Sequence, residues 1–332
     1  MRIVAIKKNK ERANILMGTR ITMNVKILIV VLSFTTLGCA APRSQSFPVE
    51  QFQPPIIADK APDRPLMGAF SLSNNTKLKG LVDFKPIVPS YNNKGILLAS
   101  WNPQPVASEH PTFVVIHGGH GLVPANFVTA VWLKKELKAN VLVLDSYWSR
   151  GIEENWKAHT RYGANMRVLD VIAAGRWLQE QGIDTNRVYL YGDSQGGWTV
   201  LRSFTDEEFI RENVSKYYKA GIALYPNCVS DGSSERPKLS PYFGPVIVFT
   251  AGNDDATPIS QCSISVFKSA ASWIHYSDAT HGWDSPLTDG ECSKAANKYN
   301  HFKICRSDQY TFDMRQKIVD FLDKDASSSS KN

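Results

Sequence analysis

The chain has 332 residues, 43% of them hydrophobic and 21% charged, with a formal net charge of +7. That balance excludes intrinsic disorder for the bulk of the molecule and suffices for one large globular domain with extensions. It also excludes a polytopic membrane protein, because the one continuously apolar stretch, Ile27 to Leu37, is about half the length a spanning helix needs.

The charge is concentrated at the start of the chain. Residues 1–40 carry seven basic side chains (Arg2, Lys7, Lys8, Lys10, Arg12, Arg20, Lys26) and the single acid Glu11, so they hold +6 of the +7. The remainder is near neutral and has no Lys/Arg run, which removes the electrostatic footprint of a nucleic-acid partner. A basic head, an apolar run and the small residues Gly38-Cys39-Ala40-Ala41, stopped by Pro42, read as a secretory signal over residues 1–40. Met23 begins a signal of more ordinary proportions and is an alternative start. The mature protein is therefore expected in a periplasm or outside the cell. Cys39 is a candidate for lipid modification, the one membrane attachment suggested, although Thr36 stands where the bacterial lipoprotein pattern calls for a bulky aliphatic residue.

Residues 41–84 are rich in Pro, Ser and Asn without sustained period and are expected to form an extended arm. From there to residue 325, short apolar runs alternate with amphipathic stretches, the pattern of a mostly parallel sheet flanked by crossover helices. The expected strands are Ile96 to Trp101, Thr112 to Ile116, Val141 to Leu144, Val188 to Tyr191, Ile222 to Tyr225, Val246 to Thr250 and Trp273 to Tyr276. Several are uninterrupted aliphatic runs, as strands buried on both faces require. Helices are expected over Ala125 to Leu137, Gly163 to Gln181 and Gln309 to Lys324, with at most a modest helical cover over Asp206 to Lys219. The span from Tyr225 to Pro245 is too short for a large cap domain. Residues 326–332, rich in serine, are expected to be a disordered tail.

Four loops that follow these strands carry chemistry. The run Val188-Tyr-Leu-Tyr-Gly192-Asp193-Ser194-Gln195-Gly196-Gly197 places a serine between a strand and a helix, with glycines two residues to either side. A strained strand-to-helix turn projects the hydroxyl above the sheet, and the glycines give the backbone room, so Ser194 is the expected nucleophile. A serine hydroxyl needs a base, and the base needs an acid to orient it. Asp254 and Asp255 follow the strand ending at Thr250, and Asp254 is taken as the acid, Asp255 as a turn residue. His281, in the loop after Tyr276, is the base. Thr112 to Ile116 runs into His117-Gly118-Gly119-His120-Gly121, whose amides can approach a reacting carbonyl, so the amides of Gly119 and Gln195 are expected to form the oxyanion site. Metal ligation by His117 and His120 is the weaker reading, since no acid or third histidine supports it; no metal and no cofactor is implied.

These motifs, with Leu144-Asp145-Ser146-Tyr-Trp-Ser-Arg150-Gly151, Asp254-Asp-Ala-Thr-Pro258 and Ala279-Thr-His281-Gly-Trp, resemble the dienelactone hydrolase family of the α/β-hydrolase superfamily over about residues 85 to 325. The resemblance implies an α/β-hydrolase fold, a triad of Ser194, Asp254 and His281, and a small-molecule ester or lactone substrate. The prototypes use a cysteine where this chain has Ser194, which makes simple esters at least as strong an expectation as lactones. Arg150 resembles an arginine that binds a substrate carboxylate in family members; a structural pairing with Asp145 or a helix end is the alternative. Apart from the resemblance, Trp198, with Tyr147, Trp148 and Trp283, is a candidate for an apolar substrate wall, a place in the core being the alternative. A serine peptidase similar to the prolyl oligopeptidase type and a catalytically silent envelope binding protein remain as alternatives.

With Cys39 in the signal, Cys228, Cys262, Cys292 and Cys305 form an even set in a chain expected to reach an oxidising space. Cys228 with Cys262 and Cys292 with Cys305 are the expected pairs. The first joins neighbouring strand exits, and the second closes a polar insertion after His281 and pins the segment carrying the base.

Overall fold

A computed structural model describes residues 85–93, 95–150, 152, 163–226, 241–262, 267–268, 270–296 and 301–329. They belong to one compact unit, Phe47–Asn332. The signal, the arm, Cys39 and Cys228 lie outside the described residues.

The described elements, in chain order, are β1 (Lys85–Pro89), β2 (Ile96–Asn102), β3 (Thr112–Ile116), α1 (Pro124–Glu136), β4 (Asn140–Asp145), α2 (Ala164–Glu180), β5 (Val188–Asp193), α3 (Gln195–Ser203), α4 (Glu208–Val214), β6 (Ala220–Leu224), β7 (Val246–Ala251), β8 (Ser272–Tyr276), β9 (Cys292–Ala296), β10 (His301–Cys305) and α5 (Asp308–Ser329). Among the described residues, eight strands form one sheet in the order β1-β2-β4-β3-β5-β6-β7-β8. β1 pairs antiparallel with β2, and β2 with β4; every later pairing is parallel.

Every residue of β3, β4, β6 and β7 is buried, which is why their sequences are unbroken rather than alternating. On one face of the sheet, α2, α3 and α4 supply Val168, Leu169, Val200, Leu201 and Ile210 to the core. On the other, α1 and α5 supply Phe127, Leu133, Met314 and Ile318. Helix α2 stops at Gly182, whose φ of +78° lets its amide reach Gln179 O (2.9 Å) while Ile183 N reaches Leu178 O (3.1 Å). This is a Schellman ending that a side chain at residue 182 would strain.

The structure departs from expectation at the edges. The antiparallel edge strand β1 was not anticipated, because two prolines in Lys85–Pro89 obscure it. The polar insertion after His281 is a hairpin, β9–β10, closed by a Cys292–Cys305 disulfide. Cys262 is also disulfide-bonded, and its expected partner Cys228 lies outside the described residues. Helix α5 continues to Ser329, four residues into the tail expected to be disordered, since no glycine or proline after Lys324 stops it. Strand β6 ends at Leu224, so Tyr225 is not in the strand: its φ is +31°.

Candidate active site

Because β3 and β5 to β8 are parallel, the loops after their C-terminal ends gather at one edge of the sheet. Ser194 sits between β5 and α3 with φ +53° and ψ −117°, a conformation that only a tightly determined turn sustains. Its amide donates to Leu224 O (2.9 Å) and its carbonyl accepts from Trp198 N (3.0 Å). A Cβ on Gly192 would lie 2.4 Å from the Gly196 carbonyl, and one on Gly196 2.2 Å from Ile116 O. The glycines are thus required by backbone contact between β3, β5 and α3, which holds the serine in place.

The loops after β7 and β8 bring the other two predicted residues together. Asp254 is buried, and its Oδ2 lies 2.9 Å from His281 Nδ1. Thr257 completes this pair: its hydroxyl donates to Asp254 Oδ2 (2.8 Å) and lies 3.2 Å from His281 Nδ1, while its amide donates to Asp254 Oδ1 (2.7 Å). Burial alone would raise the Asp254 carboxyl, but the His281 charge and hydrogen bond and the Thr257 donors outweigh it and hold the group below the usual carboxylate range. Asp255 is exposed and accepts from Lys303 N (3.2 Å), so the two adjacent acids have separate partners. Thr257 was missed from sequence, although Asp254-x-x-Thr257 is a spacing at which a hydroxyl and amide fold back on an acid.

The two oxyanion candidates flank Ser194 in different ways: Gln195 follows it in the chain, and Gly119 lies in the turn after β3. A Cβ on Gly118 would lie 3.3 Å from Ser194 Cβ, so the turn that includes Gly119 is close beside Ser194. The Gln195 amide opens α3 and therefore has no intrahelical acceptor, while the Gln195 side-chain oxygen is held by the Tyr147 hydroxyl. His117 is a structural residue of this turn: Nδ1 donates to Gly118 O (2.7 Å), Nε2 accepts from Ser146 N (3.2 Å), and its own carbonyl accepts from Arg167 (2.6 Å). His120 is mostly buried, and desolvation, followed by the positive field of His281, pushes its imidazole down to about 4, so it stands neutral beside the site. Phe302 of the disulfide-closed hairpin packs between them, its ring 5.5 Å from His281 and 6.0 Å from His120. Among the described residues, no group of three His, Cys, Asp or Glu side chains could hold a metal ion.

Two predicted substrate residues are placed elsewhere. Arg150 is buried in a bidentate pair with Asp170 (2.7 and 3.0 Å) and donates to Ser146 O (2.6 Å). Its partner is Asp170 rather than Asp145, whose Oδ1 instead accepts the amides of Tyr147 and Trp148 (2.9 Å each). Trp198 is 3% exposed and belongs to the core between the sheet and α2, because the first turn of α3 rolls it inward.

Asp193, beside the nucleophile, accepts from Asn126 Nδ2 (2.8 Å). Burial, then the field of Asp284, lifts its carboxyl to about 7 against the pull of His281, Arg167 and Asn126. Asp284, three residues after His281, is likewise raised, chiefly by burial, and accepts from the Tyr225 hydroxyl (2.8 Å). Neither acid stood out from sequence as more than a loop residue.

No family model and no curated protein matches the chain. Among solved structures it is similar to a candidate dienelactone hydrolase from Klebsiella pneumoniae subsp. pneumoniae, at 15% identity over 72% of this chain and 96% of that one, with a TM-score of 0.54. It is also similar to Thermogutta terrifontis esterase 2, at 16% identity over 73% and 94% of the two chains with a TM-score of 0.48. A puromycin-hydrolyzing peptidase of Mycobacterium tuberculosis matches at 18% identity over 63% of this chain and 38% of that one, with a TM-score of 0.45. The first of these similarities, with the sheet order above, gives the fold: a mostly parallel α/β-hydrolase sheet flanked by helices.

Proposed function

We propose that the protein is an exported serine hydrolase that cleaves carboxylic esters or lactones through an acyl-enzyme. The observation that carries this reading is the buried Asp254–His281 pair at the same sheet edge as a serine held at φ +53°. Ser194 Oγ attacks the carbonyl carbon as its proton passes to His281 Nε2; Asp254 orients the ring through Nδ1 and stabilises its positive charge. The oxyanion is held by the amides of Gly119 and Gln195. His281 returns the proton to the leaving alkoxide, and a water activated by the same nitrogen then releases the acid and restores Ser194.

The bidentate pairing of Arg150 with Asp170 leaves that arginine no part in binding a substrate carboxylate, which favours plain esters over carboxylate-bearing lactones. The Cys292–Cys305 disulfide suits an oxidising compartment and supports export.

The test is fluorophosphonate labelling of the purified mature protein beside Ser194→Ala and His281→Ala, with p-nitrophenyl ester turnover on the same samples. Labelling should vanish in the first variant and fall steeply in the second. Aminoacyl anilide turnover exceeding ester turnover would move the reading to a peptidase. A wild type that neither labels nor turns over would leave a binding protein.

A further inference from the structure

We propose that Tyr225 is a positioning residue that holds His281 against Asp254, and that buried Asp284 anchors it there. The inference rests on the serine-hydrolase reading of the site. Tyr225 is the first residue past β6, directly after Leu224, whose carbonyl accepts the Ser194 amide. Its φ of +31° is rare for a bulky aromatic residue, and such a conformation persists only where its surroundings over-determine it.

Five contacts do so here, two from the backbone and three from the side chain. The Tyr225 amide donates to Phe249 O of β7 (2.7 Å). Its carbonyl lies 3.1 Å from the hydroxyl of Thr257, whose one proton is shared between it and the nearer Asp254 Oδ2. Its ring stands edge to face with the His281 imidazole at 4.6 Å and with Trp283 at 4.9 Å. Its hydroxyl donates to Asp284 Oδ1 (2.8 Å), fixing the ring against the end of the loop that carries the base. Asp284 is itself held, since its carbonyl accepts from Arg306 (2.9 Å). One residue thus ties β7 and the Thr257–Asp254 loop, through its backbone, to the loop that carries His281, through its ring and hydroxyl. The aromatic face limits the tilt of an imidazole whose Nδ1 is already committed to Asp254, which sets where Nε2 points. The left-handed backbone is what turns the ring back over the site, since a residue continuing β6 in extended form would direct its side chain along the sheet normal instead.

The experiment uses the full mature chain as Tyr225→Phe, which keeps the ring and loses the Asp284 bond, and Tyr225→Leu, which loses both. A misplacement of about 1 Å costs on the order of a hundredfold, so the fluorophosphonate labelling rate and kcat on p-nitrophenyl acetate should fall about a hundredfold in Tyr225→Leu and about tenfold in Tyr225→Phe, with KM within about twofold of wild type. Labelling of Tyr225→Leu within about twofold of wild type would overturn the proposal. So would a raised KM at unchanged kcat, which marks a substrate contact. If Tyr225→Leu does not fold, the Phe variant decides by the same criterion. The downfield proton NMR signal of the His281 Nδ1–H bond to Asp254 reads the arrangement without substrate: it should persist in wild type and broaden or vanish in the variants. Absence of labelling in wild type with that signal still sensitive to Tyr225 would refute the hydrolase reading and keep the positioning role.

Discussion

Two buried pairs, each a carboxylate with a basic side chain, sit in the same domain and are bonded differently. Arg150 and Asp170 close on each other through two hydrogen bonds, with Ser146 O taking a third, and both side chains are 0% exposed. Asp254 and His281 share one hydrogen bond through Nδ1, and among the described residues Nε2 is left for a reacting group. A bidentate pair fixes its own geometry, whereas a pair joined through one ring nitrogen leaves the other nitrogen outside the bond. Burial and opposite charge alone therefore do not mark a catalytic pair.

The comparison breaks most sharply with one substitution on each side. Asp254→Asn should lower kcat for ester hydrolysis by about 10⁴-fold, because the ring loses its orienting acceptor, with a small change in urea midpoint. Asp170→Asn should do the reverse, destabilising the fold by about 3 to 5 kcal/mol through an uncompensated buried guanidinium while the folded fraction keeps its kcat. Urea unfolding with kinetics on the same samples measures both, and equal kinetic losses would erase the distinction. Cleaving the disulfide tests the hairpin that packs Phe302 on His281. The bond spans a sequence separation of 13, and Cys292→Ser with Cys305→Ser should lower the unfolding free energy by about 3 kcal/mol on the chain-entropy account.

A smaller effect concerns Asp193, whose carboxyl is raised from 3.8 to about 7. The folded state then binds a proton that the unfolded chain has lost between those values, so stability falls as pH rises through that window. The urea midpoint should drop between about pH 4 and pH 7 in wild type and drop less in Asp193→Asn; parallel slopes would contradict this. Smallest of all, exposed Asp255→Asn should leave kcat within about twofold, as expected of a surface substitution.

The loops of the site were legible because each follows a strand that is unmistakable in sequence. Thr112–Ile116 matches the structure to the residue, and Val188–Asp193 and Val246–Ala251 differ only at their ends. The hairpin β9–β10 was not legible, since Cys-Ser-Lys-Ala-Ala has little apolar alternation and owes its pairing to the partner strand and the disulfide. Arg150 stayed open between a substrate ligand and a structural pairing with Asp145 or a helix end, because its actual partner, Asp170, lies twenty residues on, in α2, where its charge has no sign of direction until the helix is packed.

By itself the sequence determined most of the order of strands and helices, the glycine-bounded serine and which loops carry Asp254 and His281. Local backbone preference and apolar patterning are enough for that, and parallel strand order then delivers those loops to one edge. Only the tertiary structure decided which charges pair with each other, that Tyr225 turns back on His281, and that Phe302 packs against His281. Those outcomes depend on distances of a few ångströms between residues far apart in the chain, which packing angles set and sequence spacing does not encode.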